Sequence, residues 1–456
     1  MSERELLRTA ADHAATYLEG LPERRVEADV EGTGMRATLG KDLPDLPTEP
    51  RRVLDDLVAL ADPGITAMVS PRYFGLVVGG TLPAALAADW LTSTWDQNAL
   101  LARSTPAVAA IEEITGQWFL DVLKLPATAS FAFVTGCQMA HVTALAAARH
   151  GVLARIGWNV EENGLIGAPP VRVIVGGERH VTIDRALRVL GLGVSCIKAV
   201  AVDANGAMNL NALEAELRRS DRPTIVCAQL GNVNTGAIDP IAGICEVAHA
   251  ASAWVHVDGA FGLWAKASPA YRHLIEGSEN ADSWATDAHM VLNVPYDCGF
   301  AAVADRSAHE GSMKVRAPFF LQDEPIREPL DWTPESSRRA RAIPAYAALR
   351  SLGRQGLAEL VDRLFTCAER FASQLAALPR LEVLASDLNQ VLIRAIDGDT
   401  VTDQLVNQIQ KDGTCWMSPS TWQGHRCIRI SVCNWRTTEK DVDRSIDAIA
   451  SALTRL

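Results

Sequence analysis

From about Phe131 onward, short β-branched and apolar runs alternate with helical patterns, and no other feature of the chain constrains its fold as much. The runs SFAFVTG, VRVIVGG, VSCIKAVAV, TIVCAQLG, AWVHVDGA, SWATDAH and GFAAVA are nearly continuous in apolar character, as strands covered on both faces are. Between them lie MAHVTALAAARHG, IDRALRVLG, NLNALEAELRRS and DPIAGICEVAHAAS, with apolar residues three and four apart. The alternation predicts an α/β fold with a mainly parallel central sheet covered by helices. Upstream, helical patterns fall at 5–20, 50–61, 83–100 and 106–123, with a Pro-rich link from Leu43 to Arg51. Downstream, RRARAIPAYAALRSLG and LAELVDRLFTCAERFASQLAAL predict two long helices joined near Gly353–Gly356. The tail then reads strand (NQVLIRA), helix (TDQLVNQIQ), strand (CIRISVC) and helix (TEKDVDRSIDAIASAL). The expected organisation is an N-terminal helical arm over 1–62, a large α/β domain over 63–335 and a small C-terminal α+β domain over 336–456.

A chain of 456 residues is long enough for two or more domains and a large buried core, which excludes a short binding module. Its 43 Lys+Arg against 55 Asp+Glu give a net charge of −12, which argues against nucleic acid as the main partner and for a small-molecule enzyme. The longest apolar stretches, such as Thr81 to Leu91, are interrupted well short of the roughly 18 residues that span a bilayer, so no membrane partner is expected. MSERELLRTA opens with charge and no apolar core follows it, so the expected location is cytoplasmic. The 9 cysteines form no CxxC pair, and Cys227, Cys245 and Cys427 lie in apolar runs, so neither a disulfide nor a metal is expected.

Nucleotide-binding motifs are missing: GLGVSC has a lone GxG, better read as a turn into a strand, and no GxxxxGK[ST] occurs. Three other segments carry chemistry. In FVTGCQMAHVTALAAAR a strand ending at Val134 meets Thr135, Gly136, Cys137 and Gln138 before a strong helix. Free N–H groups and the dipole at such a start favour a phosphate, although an ordinary strand-to-helix turn has the same pattern. His180 stands between a strand and a helix, where an imidazole either caps the helix or stacks on a planar cofactor. Asp258 ends the apolar strand of AWVHVDGAFG. A buried carboxylate there needs a partner, such as a protonated pyridine nitrogen or the N–H groups of a following helix.

With DSWATDAHMVLNVPYDCG these segments resemble the group II pyridoxal-phosphate-dependent amino-acid decarboxylases of the aspartate-aminotransferase fold type I. The likeness runs from SPRYFGLVVGGTLP near residue 70 to ISVCNWRTTEKDVD near residue 440. It implies that pyridoxal 5'-phosphate is the cofactor, with Asp258 on the pyridine nitrogen, Ala260 and His180 against the two ring faces, and Gly136, Cys137 and Gln138 with Thr135 at the phosphate turn. It places His289 near the phosphate and Asn232, in GNVNTGAID, near the phenolic oxygen, where the family often has Thr. It also implies a homodimer with the active site at the interface.

One position departs from the family. The residue after DAH, the lysine that links covalently to the cofactor, is Met290 here, 32 residues after Asp258 as the family spacing requires. Lys266 and Lys314 stand in unrelated contexts. A thioether neither forms an imine nor shuttles protons, so the catalytic set His180, Asp258 and position 290 is incomplete. Met290 is then an engineered substitution in an active enzyme, a natural change in a pseudoenzyme or altered homologue, or a modified lysine written as methionine.

The resemblance implies an amino-acid decarboxylase or carbon–carbon lyase acting through an external aldimine, here in an inactive or trapped form. The alternatives are a decarboxylative aldolase, in which an aldehyde co-substrate captures the carbanion, and a pseudoenzyme that binds the cofactor noncovalently. Tyr73 and Phe74, with Trp95 to Asn98, are candidates for the substrate pocket, although such aromatics also suit a core. Arg436 is the candidate anchor for the substrate carboxylate. Arg338, Arg339 and Arg341 read either as a phosphate-binding tract or as a solvated helix start.

Overall fold

Seven of the apolar runs become one seven-stranded sheet in the computed structural model, which describes residues 1–40, 42–315 and 327–456. Its strands are β2 (Ser130–Val134), β3 (Arg172–Gly176), β4 (Ile197–Val200), β5 (Thr224–Gln229), β6 (Trp254–Asp258), β7 (Ser283–Asp287) and β8 (Gly299–Val303), with β1 (Tyr73–Phe74) lying outside it. They run in the order β2-β8-β7-β6-β5-β3-β4. Neighbours from β7 through β4 are parallel, whereas β8 is antiparallel to both β7 and β2. The C-terminal ends of β2, β3, β5, β6 and β7 therefore open on one edge, where α/β sheets place ligands.

Helices cover the sheet, as its apolar strands require. Among them, Gly136–Ala154 leaves β2 directly and buries thirteen residues. On the other side, Phe119, Phe131, Phe133 and Phe300 form an aromatic cluster with neighbouring centroids 4.8–6.5 Å apart. Such pairs contribute about 0.5–1.5 kcal/mol each beyond their burial. Gly116 is required there, because a Cβ would stand 1.9 Å from the Phe131 ring.

A second sheet of five strands combines β1 with β9 (Leu381–Asp387), β10 (Gln390–Ala395), β11 (Trp416–Trp422) and β12 (His425–Ser431), in the order β1-β11-β12-β10-β9. Tyr73 and Phe74 pair in parallel with Trp416 and Met417, so this segment, grouped by sequence with the large domain, is an edge strand of the C-terminal sheet. The two expected long helices appear as Ala342–Leu375, broken at Gly353 with φ 61° and ψ −173°. Glu3–Gly20 and Pro50–Ala61 contain no buried residue. Among the described residues no helix is long and apolar enough to cross a membrane.

Candidate active site

Asp258, Ala260, His180, Cys137 and Met290 line one cavity at the C-terminal edge of the large sheet. His141, Thr182, Gln229, Gly231 and Phe261 share it with Leu76, Val77 and Val233, and no lysine lines it among the described residues. Lys266 pairs with Glu279 at 2.8 Å and Lys314 with Glu310 at 2.5 Å, as their unrelated sequence contexts indicated. Leu76 and Val77 have φ of 54° and 57°, an uncommon conformation that is strained for a β-branched residue and that recurs at functional sites.

Asp258 is buried at the end of β6. Burial alone would raise its carboxyl, but His141, then His180 and the Ala260 N–H, hold it at about 2. Its Oδ1 accepts from Ala260 N–H at 3.2 Å and lies 3.5 Å from His141 Nε2. The group is thus an anion ready to face a cationic partner. His180 takes one of the two roles open to it in the sequence, capping a helix, with its ring on the cavity wall. Its Nδ1 accepts from Thr182 N–H and lies 2.8 Å from the Thr182 hydroxyl, capping the helix Val181–Val189, while the ring borders the cavity. Burial lowers its pKa, opposed by the Asp258 charge.

The turn after β2 is divided. Gly136 starts the helix at φ 63°, and Cys137 N–H donates at 3.0 Å to Asp287 Oδ2. Asp287, at the end of β7, also accepts from His289 N–H at 2.8 Å; burial pushes its carboxyl up to about 6 despite these N–H groups. A carboxylate therefore meets the helix start expected to hold a phosphate. Thr135 turns away: its hydroxyl bonds Glu335 and accepts from Arg341 Nη2 at 3.1 Å. Gln138 donates from Nε2 to Thr182 O at 3.1 Å and leaves Oε1 buried without a partner among the described residues.

The remaining candidates separate into two groups. His289 donates from Nδ1 to Val294 O at 2.7 Å and stacks on Tyr296, and its buried Nε2 has no partner among the described residues. Burial lowers its pKa to about 4. Asn232 braces its own loop, donating from Nδ2 to Glu178 O at 2.9 Å and accepting at Oδ1 from Asn234 and Thr235 N–H. Tyr73 and Phe74 are core residues: Tyr73 stacks on Trp416 at 5.1 Å and Phe74 meets Phe371 edge-on at 4.9 Å. Neither borders the cavity, which takes Leu76 and Val77 from this segment instead.

The arginines also redistribute. The Arg436 guanidinium lies 4.6 Å over the Trp435 ring and outside the cavity lining. Arg338 pairs with buried Glu112 at 2.9 Å and Arg339 with Asp89 at 2.7 Å, while Arg341 bonds Asp297. They form neither a phosphate site nor a solvated helix start. Arg429, on β12, was not singled out by its sequence context. Its Nε is buried without a partner among the described residues; burial raises Tyr73 and lowers His180, and the Arg429 charge opposes the first and adds to the second.

His141 is the principal residue that sequence reasoning missed. It lies one helical turn after Cys137, and the signal available was this i,i+4 spacing toward a strand that carries His256 and Asp258 on one face.

The model of the Pyridoxal-dependent decarboxylase conserved domain matches residues 33–394. The chain belongs to the pyridoxal-dependent decarboxylase family. It is 26% identical over 448 residues to an aromatic-L-amino-acid decarboxylase of Sus scrofa, covering 93% of this chain and 90% of that relative. It is 23% identical to tryptophan decarboxylase 2 of Oryza sativa subsp. japonica, covering 99% and 95%. The fold matches the Oryza sativa TDC crystal structure with PLP and tryptamine at a TM-score of 0.92, with 22% identity and coverage of 99% and 97%. It matches Rhodiola rosea 4-hydroxyphenylacetaldehyde synthase at 0.90, with 23% identity and coverage of 100% and 99%. This family member therefore has the fold type I architecture that the sequence resemblance implied.

Proposed function

We propose that this chain binds pyridoxal 5'-phosphate noncovalently and is the lysine-deficient form of an amino-acid carboxy-lyase. The observation that carries the reading is the cavity wall itself, where Met290 stands beside Asp258, Ala260 and His180 and no lysine is present among the described residues. The donor set fits the cofactor. Asp258 is an ionised carboxylate suited to a protonated pyridine nitrogen, Ala260 and His180 supply walls for a flat ring, and His289 Nε2 is a buried polar atom without a partner among the described residues. When bound, the cofactor supplies the electron sink into which an amino acid loses carbon dioxide.

Each residue has a defined task. Asp258 keeps the pyridine nitrogen protonated, and Leu76, Val77, Val233 and Phe261 exclude water from the ring. The phosphate end falls to His289 Nε2, because Asp287 already holds the Cys137 N–H at the helix start. Arg429, whose Nε is buried without a partner among the described residues, joins Arg436 as a candidate to meet a substrate carboxylate, although neither borders the cavity. The Met290 thioether offers neither an amine for exchange nor a proton carrier.

The test is carbon dioxide release by Met290→Lys, supplied with pyridoxal phosphate and a panel of amino acids that includes the aromatic ones. Release by the Lys variant, with at most a trace from the Met290 form, is expected. Keto-acid exchange without carbon dioxide would replace the reading with transamination, and no turnover on any amino acid would leave a pseudoenzyme. A carbon–carbon-bonded product on adding an aldehyde would mark the decarboxylative-aldolase branch.

A further inference from the structure

Trp254, His256 and Asp258 alternate along β6 and so share one of its faces, the face met by His141 from the helix Gly136–Ala154. Ser283 stands opposite His256 in the register of β6 with β7. All five side chains are buried. Trp254 Nε1 donates to Ser283 Oγ at 2.9 Å, and Ser283 Oγ lies 3.0 Å from His256 Nδ1. His256 Nε2 lies 3.0 Å from His141 Nδ1, and His141 Nε2 faces Asp258 Oδ1 at 3.5 Å. The contacts lead about 13 Å along the strand, from its buried start to the carboxylate at its end.

The two ends fix the direction in which every proton points. An indole N–H only donates, and an ionised carboxylate only accepts. Ser283 Oγ therefore receives the Trp254 N–H, and among the described residues the acceptor left for its own hydroxyl is His256 Nδ1. Burial keeps His256 neutral, so a bare Nδ1 puts its proton on Nε2, which donates to His141 Nδ1. The His141 proton then lies on Nε2, facing Asp258. The reverse arrangement, with both rings protonated on Nδ1, strands the Ser283 hydroxyl proton and sets a nitrogen lone pair against the Asp258 anion, and both are costly in a buried setting. Cys137 Sγ, 3.6 Å from the same His141 nitrogen, does not compete, because a thiol is a weaker acceptor than a carboxylate.

We infer that Trp254, Ser283, His256 and His141 form a one-way hydrogen-bond relay that locks the His141 N–H on Asp258 and so holds that carboxylate, in orientation and in charge, for the pyridine nitrogen of the cofactor. His141 and His256 are positioning residues that act through Asp258. Oδ1 takes both the Ala260 N–H and the His141 N–H, and Oδ2 remains for the pyridine nitrogen. No proton travels along the relay, since each donor keeps its own. Hydrogen bonds aligned head to tail polarise one another, so the carboxylate meets a stronger donor than an isolated imidazole. The last link rests on the cofactor reading proposed above, whereas the tautomers of His141 and His256 do not.

The test begins with the full chain, free of cofactor and carrying nitrogen-labelled histidine, whose tautomers are read by NMR from long-range proton–nitrogen correlations. His141 and His256 should both carry hydrogen on Nε2 alone, their signals assigned by loss in His141→Gln and His256→Gln. Hydrogen on Nδ1 of either ring would overturn the relay. Pyridoxal phosphate labelled at its ring nitrogen is then bound to the unsubstituted chain, to His141→Leu and to His141→Gln. The nitrogen should show a pyridinium shift in the unsubstituted chain, move toward neutral pyridine in His141→Leu, and return in His141→Gln, whose amide keeps a donor toward Asp258. His141→Leu should also bind the cofactor at least about tenfold more weakly, as loss of a hydrogen bond to a buried charge entails. An unchanged nitrogen shift in His141→Leu would overturn the link to Asp258. Circular dichroism checks that the variants fold, and if His141→Leu does not, the tautomers in the unsubstituted chain decide alone. Binding of cofactor by none of the forms, with both tautomers as stated, would count against the cofactor reading and leave the relay standing.

Discussion

At the scale of single residues, the site is organised by one carboxylate. Asp258 leaves a fully buried strand, and its neighbours hold it ionised at about 2, so an unpaired Asp258 would be a costly buried charge. In the Met290→Lys background, Asp258→Ala should weaken cofactor binding at least about thirtyfold, since losing one partner of a buried charge pair costs about 2–5 kcal/mol. Equilibrium titration with pyridoxal phosphate measures this, and undiminished affinity would remove Asp258 from the site. Asp258 was legible in sequence because a carboxylate ending an apolar run has few bland explanations. His141 was not, because it sits on a helix whose surrounding positions are almost all buried and apolar, where a histidine looks like packing. Thr135, Gln138 and Asn232 carried family-like positions, but their side chains are spent on Glu335, Thr182 and Glu178, contacts that local sequence does not encode.

At the scale of elements, what could be read followed burial. Six strands of the large sheet were legible because burial makes them continuous apolar runs, and β4, a half-exposed edge strand, because its run VSCIKAVAV is still mostly apolar. The C-terminal sheet was half legible. NQVLIRA and CIRISVC stood out, whereas LEVLASD and WMSPSTW did not, since β9 is a half-buried edge and β11 carries Pro419 where β1 has already ended. β1 itself is two residues long, too short for any periodic signal. The break near Gly353 was expected from its glycines, and its φ of 61° with ψ −173° belongs to a region essentially reserved for glycine. Gly353→Ala should therefore destabilise the chain by about 1–3 kcal/mol. A lowered urea midpoint with unchanged slope is expected, and an unchanged midpoint would mean that the helix pair tolerates a continuous turn.

At the scale of the whole molecule, stability has a defined pH dependence. Burial lowers His256 and His309 to about 3 and His289 to about 4, so between those values and 6.5 the unfolded chain binds more protons and stability rises with pH. Asp239 and Asp287, raised to about 6 by burial, act in the opposite direction between 3.8 and about 6. Three histidines outweigh two carboxyls, leaving roughly one net proton and about 1.4 kcal/mol per pH unit. The thermal midpoint should therefore fall from pH 6.5 to pH 5, and a flat or rising profile would contradict the burial of these imidazoles. Assembly is a second whole-molecule expectation. Leu7, Val53, Leu57, Val58 and Leu60 remain exposed on the N-terminal helices, so a homodimer burying more than about 2,000 Å² is expected. Sedimentation showing a stable folded monomer at low micromolar concentration would count against it. The central claim is that position 290 is the missing part of an otherwise assembled cofactor site. Its most direct measurement is borohydride reduction of the Met290→Lys chain loaded with pyridoxal phosphate, followed by peptide mass analysis. The expected result is cofactor fixed on residue 290 in the Lys variant and on no residue in the Met form; no covalent cofactor in the Lys variant, or cofactor on another lysine such as Lys314 in the Met form, would contradict it.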